Sequence, residues 1–306
     1  TPSGGWLSGP RISLTGIGTS DMEWLRSRSV YLQAAPLSLI FFLFFALPIA
    51  LVVVVSFFDY QAYQILIPDF VLFNYQDVFS SEVTYRTYFI TFRFCLMVWA
   101  ITLVLGFAIA YFLAFHIRTI TMQIVLFLLC TIPFWTSIVI RMIAWIPLLG
   151  RNGLVNNALV ASGFTDAPVE WLLYSEFAVV IGYVHLYTLF MIVPIFNSMM
   201  RIDRSLLEAA TDAGASGWQT VWNVIVPLCK PGIAIGSIFV VAMVMGDFVT
   251  VNVLGGGQVA SVGKAIAAEL SYLQFPPAAA NSMVLLGVVI LLIMLLMRFA
   301  DIRKEL

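Results

Sequence analysis

The most regularly spaced charged residues in this chain are Arg204, Glu208 and Asp212, which recur at every fourth position. On a helix, residues four apart lie on one face, so these three predict a charged strip. Small side chains flank the strip at Ala209, Ala210 and Ala213. Gly214 follows and is typical of a helix end. A charged strip beside a small-residue face suits close docking of another protein and offers no group for covalent chemistry.

Residues with catalytic potential are sparse elsewhere. Residues 214–217 (GASG) fit the GxSG sequence of rhomboid-type intramembrane proteases, but such a serine needs a histidine on a later helix. Both histidines, His116 and His185, precede Ser216. The three cysteines are scattered without metal-ligand spacing, at Cys95, Cys130 and Cys229. The sequence contains no P-loop. We therefore expect no enzyme activity, no metal site and no cofactor in this chain.

The elements that must position the strip are membrane helices. The chain has 306 residues, of which 61% are hydrophobic and 10% charged, whereas soluble domains carry about 25% charged residues. A net charge of −1 gives no indication of a nucleic-acid partner. Six apolar runs reach the roughly 20 residues that cross a bilayer, at 36–58, 93–115, 120–144, 176–199, 232–254 and 278–298. The sequence predicts an all-α, multi-pass membrane protein with six transmembrane helices.

Lysine and arginine predict the orientation, because they collect on the cytosolic side. With the N-terminus inside, the cytosolic segments hold Arg11, Arg26, Arg28, Arg118, Arg201, Arg204, Lys230, Arg298, Arg303 and Lys304. The outer side holds Arg86, Arg93, Arg141, Arg151 and Lys264. This distribution predicts that both termini are cytosolic (N-in/C-in).

Residues 1–35 are predicted to form a cytosolic extension. Ser20 and Glu23 have capping-box spacing, which predicts a short helix over 21–34, lying either at the membrane surface or in solvent. The transmembrane domain then covers 36–300, and 301–306 form a cytosolic tail. The first run is too long for a signal peptide and should stay in the mature protein.

The polar loop 201–231, between the fourth and fifth runs, resembles the EAA loop of ABC importer permeases. The resemblance rests on Glu208-Ala209-Ala210, on Gly214 and on Pro227. Val224 and Val226 stand where the family usually has Ile and Leu. The resemblance implies a cytosolic coupling loop that docks onto a separate ATPase through Arg204, Glu208, Ala209, Ala210, Asp212, Gly214 and Pro227.

Segments 132–137 (IPFWTS), 246–250 (GDFVT) and 273–276 (LQFP) resemble the spermidine/putrescine permease branch. Val251 departs from the proline common there. The resemblance implies half of a transport path for a small, cationic solute in the bacterial inner membrane. It implies a second homologous permease, two ATPase subunits that bind ATP and Mg, and a periplasmic binding protein. Opine, thiamine and iron(III) permeases share part of the pattern, so the cargo stays open.

Candidate path residues lie near the outer ends of the runs. Asp247 is about 23 Å from Gly232 along a continuous helix, deep in a core of about 30 Å. Either it meets a cargo ammonium, or the run ends near Gly246 and Asp247 lies in a loop or pairs with Arg141. Trp135, Phe248 or Tyr272 would add a cation–π face.

Two further charges are candidates for the path. Arg141 either lines the path or extends to the outer membrane interface. Glu269 shares a predicted helix face with Tyr272 and would line an outer gate. A self-sufficient secondary transporter is the rival class, but it would need ion-coupling acids near the bilayer centre and would have no docking loop.

Overall fold

Helices dominate the computed structural model, which describes residues 35–61, 64–117 and 119–300. The helix predicted over 21–34 and the tail 301–306 lie outside the described residues. The described residues divide into two units between Val54 and Val55. Helix α1 (Ala35–Val55), with a π-turn at Phe42–Ala46, covers the described residues of the first unit and ends at Val55.

The second unit begins with a short antiparallel hairpin and continues as helices. Strands β1 (Asp59–Gln61) and β2 (Gln64–Ile67) pair with Asp59 opposite Ile67. The helices are α2 (Phe73–Ser80), α3 (Glu82–His116), α4 (Ile120–Trp135), α5 (Ile138–Leu149), α6 (Leu154–Ala161), α7 (Glu176–Met199), α8 (Arg204–Asp212), α9 (Gly217–Leu228), α10 (Lys230–Gly246), α11 (Val249–Leu254), α12 (Val262–Ser271) and α13 (Phe275–Ala300). The predicted all-α class is confirmed, with the hairpin as an addition.

Helix α7 forms the centre of the second unit, where it packs against α3 and α10. Ser175 starts α7 by accepting a hydrogen bond from the Ala178 amide at 3.2 Å. Small residues permit close packing: a Cβ added to Gly106 of α3 or to Gly236 of α10 would lie 2.7 Å from Met191 of α7. The GxxxG spacing at 232–236, which indicates close helix approach, is therefore used for packing.

Two of the six predicted runs are broken. The run 120–144 divides into α4 and α5, because the helix ends as a 3-10 turn over Ile132–Trp135 that contains Pro133. The run 232–254 divides into α10 and α11 at Asp247 and Phe248. The break in the run 120–144 was not predicted, since a local break does not change average hydrophobicity, whereas an end near Gly246 was one of the alternatives left open for the run 232–254.

Five described helices are long and apolar enough to cross a membrane: Ala35–Val55, Glu82–His116, Ile138–Ala161, Glu170–Met199 and Phe275–Arg298. A sixth span results if α9 and α10, which are bent by 70° relative to each other, are counted together. Five or six spans agree with a multi-pass protein. The number of six and the N-in/C-in orientation stay predictions.

Candidate functional site

The coupling segment, residues 201–231, folds as two short helices, α8 and α9, joined at Gly214. Asp203 starts α8 because its carboxylate accepts a hydrogen bond from the Ser205 amide at 3.0 Å. The hydrogen bonds from Ser205 also hold the pKa of Asp203 below its usual value. The first turn of α8 is therefore stabilised by a residue directly before it.

Gly214 ends α8 in a left-handed conformation, with φ at +84°. The Ala215 amide donates to the Ala210 carbonyl at 3.0 Å, and the Gly214 amide donates to the Thr211 carbonyl at 2.9 Å. These two bonds form a Schellman motif, which satisfies the last carbonyls of a helix. Only glycine adopts this conformation without steric cost, so Gly214 fixes the angle at which the chain leaves α8.

Helix α9 starts with a capping box. The Ser216 hydroxyl accepts from the Gln219 amide, and the Gln219 side chain accepts from the Ser216 amide. Further along, Ile225 is buried in the core, while Trp218 and Trp222 are exposed and pack edge to face with 5.7 Å between ring centroids. Helix α9 thus anchors the coupling segment to the core by one side only.

The predicted docking residues occupy the outer surface of this segment. Exposed positions are Arg204, Glu208, Ala209, Asp212 and Gly214, whereas Ala210 and Pro227 are half-buried. In the part of the chain that the structure describes, the ion pairs are Arg93–Glu176 and Arg151–Glu170. The three charges of the strip therefore remain available to an outside partner.

Asp247 lies at the junction between α10 and α11, and its carboxylate is engaged by neighbouring residues. One oxygen accepts from the Thr250 amide at 2.8 Å. The other accepts from the Tyr187 hydroxyl at 2.6 Å and the Thr250 hydroxyl at 3.0 Å. Asp247 thus caps the start of α11 and ties it to α7. Of the alternatives left open by the sequence, the helix does end at Gly246, and no ion pair joins Asp247 to Arg141 among the described residues.

Phe248 and Tyr272 line one open cavity of about 770 Å³, together with Asn252 and Lys264. Tyr272 is 77% exposed, and the Lys264 ammonium donates to the Val259 carbonyl at 3.0 Å. Trp135, at 84% exposure, lies at the end of α4 and does not line this cavity. The structure therefore brings together two of the three predicted aromatic residues.

Glu269 faces a different cavity from Tyr272, so the structure separates the predicted gate pair. That cavity, of about 230 Å³, is also lined by Asp77, Tyr88 and Asn281. The Asn281 amide donates to one carboxylate oxygen of Glu269 at 2.6 Å. Burial raises the pKa of Glu269 to about 7, with a smaller contribution from Asp77. Whether Glu269 has a role in a gate stays a prediction.

Arg141 lines a third cavity, of about 190 Å³, with His185 of α7. The indole N–H of Trp145 donates to Nδ1 of His185 at 3.1 Å. No role for His185 or Tyr187 was predicted from the sequence. Their spacing with Tyr183 on an apolar helix, at two and four residues, was the one available indication that polar groups gather in the middle of α7.

The described chain is thus a bundle of apolar helices that carries a capped, exposed helix pair. Residues 102–302 match the model of the binding-protein-dependent transport system inner membrane component, and the chain belongs to this family. The predicted resemblance to ABC importer permeases and the inner-membrane location are therefore confirmed.

The spermidine/putrescine transport system permease protein PotB of Salmonella typhimurium is 36% identical over 197 residues, covering 64% of this chain and 68% of that protein. PotB of Haemophilus influenzae is 40% identical over 144 residues, or 47% of this chain. The match spans half the length of the H. influenzae protein.

A bacterial alginate ABC transporter, crystallised in complex with an alginate pentasaccharide-bound periplasmic protein, has the same fold. The TM-score is 0.70 at 17% identity, over 91% of this chain and 96% of that one. This likeness concerns the fold alone.

Proposed function

We propose that this chain is one of two homologous permease subunits of an ATP-driven importer, and that α8 receives the motion of a separate ATPase. The observation that carries the proposal is the coupling segment: a helix capped at both ends that presents Arg204, Glu208 and Asp212 to solvent. Charged strips of this kind favour a complementary partner surface and correct orientation of the complex. ATP and Mg would bind to that partner, and this chain would perform no covalent chemistry.

The fold suggests how motion at α8 would reach the membrane domain. Helix α8 continues through the Gly214 turn into α9, which leads through Cys229 into α10. Ile225 of α9 and Cys229 are buried in the same core as α7 and α10. At its far end, α10 meets the Asp247 junction, which is tied to α7 through Tyr187. A shift of α8 would therefore be passed to α10 and change the Asp247 junction at the other end of that helix.

The cargo we propose is a polyamine such as spermidine or putrescine. Two matched relatives are named as spermidine/putrescine permeases. Phe248 and Tyr272 supply two aromatic rings to one open cavity, and aromatic faces attract alkylammonium groups. A periplasmic binding protein would deliver the polyamine, and the second permease would complete the path.

Uptake of labelled spermidine by the assembled transporter in proteoliposomes tests the cargo. Excess putrescine should compete, whereas thiamine, an opine or chelated iron(III) should not. The matched variants are Phe248→Leu and Tyr272→Leu, which keep apolar bulk but remove the aromatic face, and each should lower uptake several-fold. If one of the other solutes competes and putrescine does not, that solute replaces the polyamine as the proposed cargo of the same transporter.

A further inference from the structure

Arg141 is a cation on an apolar helix and forms no ion pair with another described residue. It belongs to α5, within the candidate membrane span Ile138–Ala161. The recorded ion pairs of the described residues involve Arg93 and Arg151 but not Arg141. Its Nε atom is buried and has no hydrogen-bond partner among the described residues. An ionisable side chain at such a position faces a partner charge or a polar cavity.

His185 adds a second hydrogen-bond donor beside this cation. An indole N–H can only donate, so Nδ1 of His185 must accept the bond from Trp145. In the neutral ring the proton then lies on Nε2, which is left to donate. Trp145 thereby sets the tautomer of His185, and both polar groups, the guanidinium and the imidazole Nε2–H, are donors.

Both residues line the cavity of about 190 Å³ between α3, α4, α5 and α7. The remaining wall is largely apolar and includes Phe134, Leu189 and Ile192, and no acid lines it. Its lining therefore combines one cation and one hydrogen-bond donor with mostly hydrocarbon.

We propose that this cavity binds a small monocarboxylate with a short apolar chain. The Arg141 guanidinium pairs with the carboxylate, His185 donates a further hydrogen bond, and the chain lies against Phe134 and Leu189. Charged hydrogen bonds of this kind are shorter and stronger than neutral ones. The site is independent of the polyamine proposal, because a guanidinium repels an ammonium group.

Three probes of nearly equal shape test the site: butyrate, n-butylammonium and 1-butanol. Saturation-transfer NMR would measure their binding to the complete transporter in lipid nanodiscs. Butyrate should bind at least tenfold more tightly than either of the other two. Equal binding of butyrate and n-butylammonium, or no binding of butyrate, would overturn the proposal without any variant.

The variants locate the site. Arg141→Gln should reduce butyrate binding at least tenfold, to the level of butanol, while Arg141→Lys should keep part of the preference because the charge remains. Arg93→Gln is the matched control: Arg93 also lies on an apolar helix, but it pairs with Glu176 and does not line the cavity. Unchanged butyrate binding in Arg141→Gln, or equal losses in Arg141→Gln and Arg93→Gln, would contradict the assignment.

Discussion

The coupling segment and the Asp247 junction are both breaks between helices, but they are held in different ways. In the coupling segment the deciding bonds join near neighbours: Asp203 to Ser205, Ala215 to Ala210, and Ser216 to Gln219. At the Asp247 junction two bonds from Thr250 are also local, but the Tyr187 hydroxyl comes from sixty residues away. The coupling segment is thus held by local bonds, whereas the break inside the bundle also uses a tertiary contact.

Charge reversal on the coupling segment should have the largest effect. Glu208→Lys places two cations on the strip with Arg204 and repels any partner surface that complements an acid, so ATP-driven uptake should fall at least 100-fold. Membrane insertion should be normal, because Glu208 is exposed. Copurification of the ATPase and proteoliposome uptake measure the effect.

The control for this variant is Glu170→Lys, which reverses an exposed acid outside the coupling segment. Uptake in this control should stay within about twofold of the parent, since exposed ion pairs contribute little. Equal losses in both variants would show that charge reversal as such, and not docking, is responsible.

At Asp247, loss of hydrogen bonding should lower the stability of the protein more than loss of charge does. Asp247→Ala removes every bond to Thr250 and Tyr187, and caps of this kind contribute about 1–2 kcal/mol to stability. Asp247→Asn keeps an oxygen for the Thr250 amide, so its unfolding temperature should be near that of the parent. A transport loss of tenfold or more in Asp247→Asn, with stability intact, would instead indicate contact with a cationic cargo.

Gly214 tests whether the angle between α8 and α9 matters. A Cβ at Gly214 would meet no atom within 4 Å, so substitution affects only the backbone conformation. Alanine at positive φ costs about 1–2 kcal/mol, while asparagine tolerates this region better. Uptake should decrease in the order parent, Gly214→Asn, Gly214→Ala. Equal uptake by the parent and both variants would show that the conformation of the Gly214 turn does not affect coupling.

Glu269 should give the smallest effect, visible as a pH dependence. Its pKa is about 7 in the folded protein and near 4.5 ordinarily, so the folded state holds more protons between these values. Stability therefore falls as pH rises through that window. Glu269→Gln should flatten the unfolding temperature between pH 5 and 8 and raise it slightly at pH 8. If the unfolding temperature of Glu269→Gln changes with pH as steeply as that of the parent, Glu269 does not cause the pH dependence.

The same contrast explains what could be predicted from the sequence. The apolar runs and the Gly214 helix end are local patterns, and they predicted the fold class and the shape of the coupling segment. The break at Asp247 was left as an alternative: its cap, the bond from the Thr250 amide, is local, but the bond from Tyr187 that ties the break to α7 comes from another helix. The separation of Glu269 from Tyr272 was missed for a similar reason: Asn281, on α13, holds the Glu269 side chain.

Dependence on the ATPase tests the central claim most directly. Proteoliposomes with both permeases and the binding protein should take up labelled spermidine only when the ATPase subunits and ATP are present on the coupling-segment side. Without the ATPase, proton or sodium gradients should drive no uptake. Gradient-driven uptake in its absence would contradict the account and identify a self-sufficient secondary transporter.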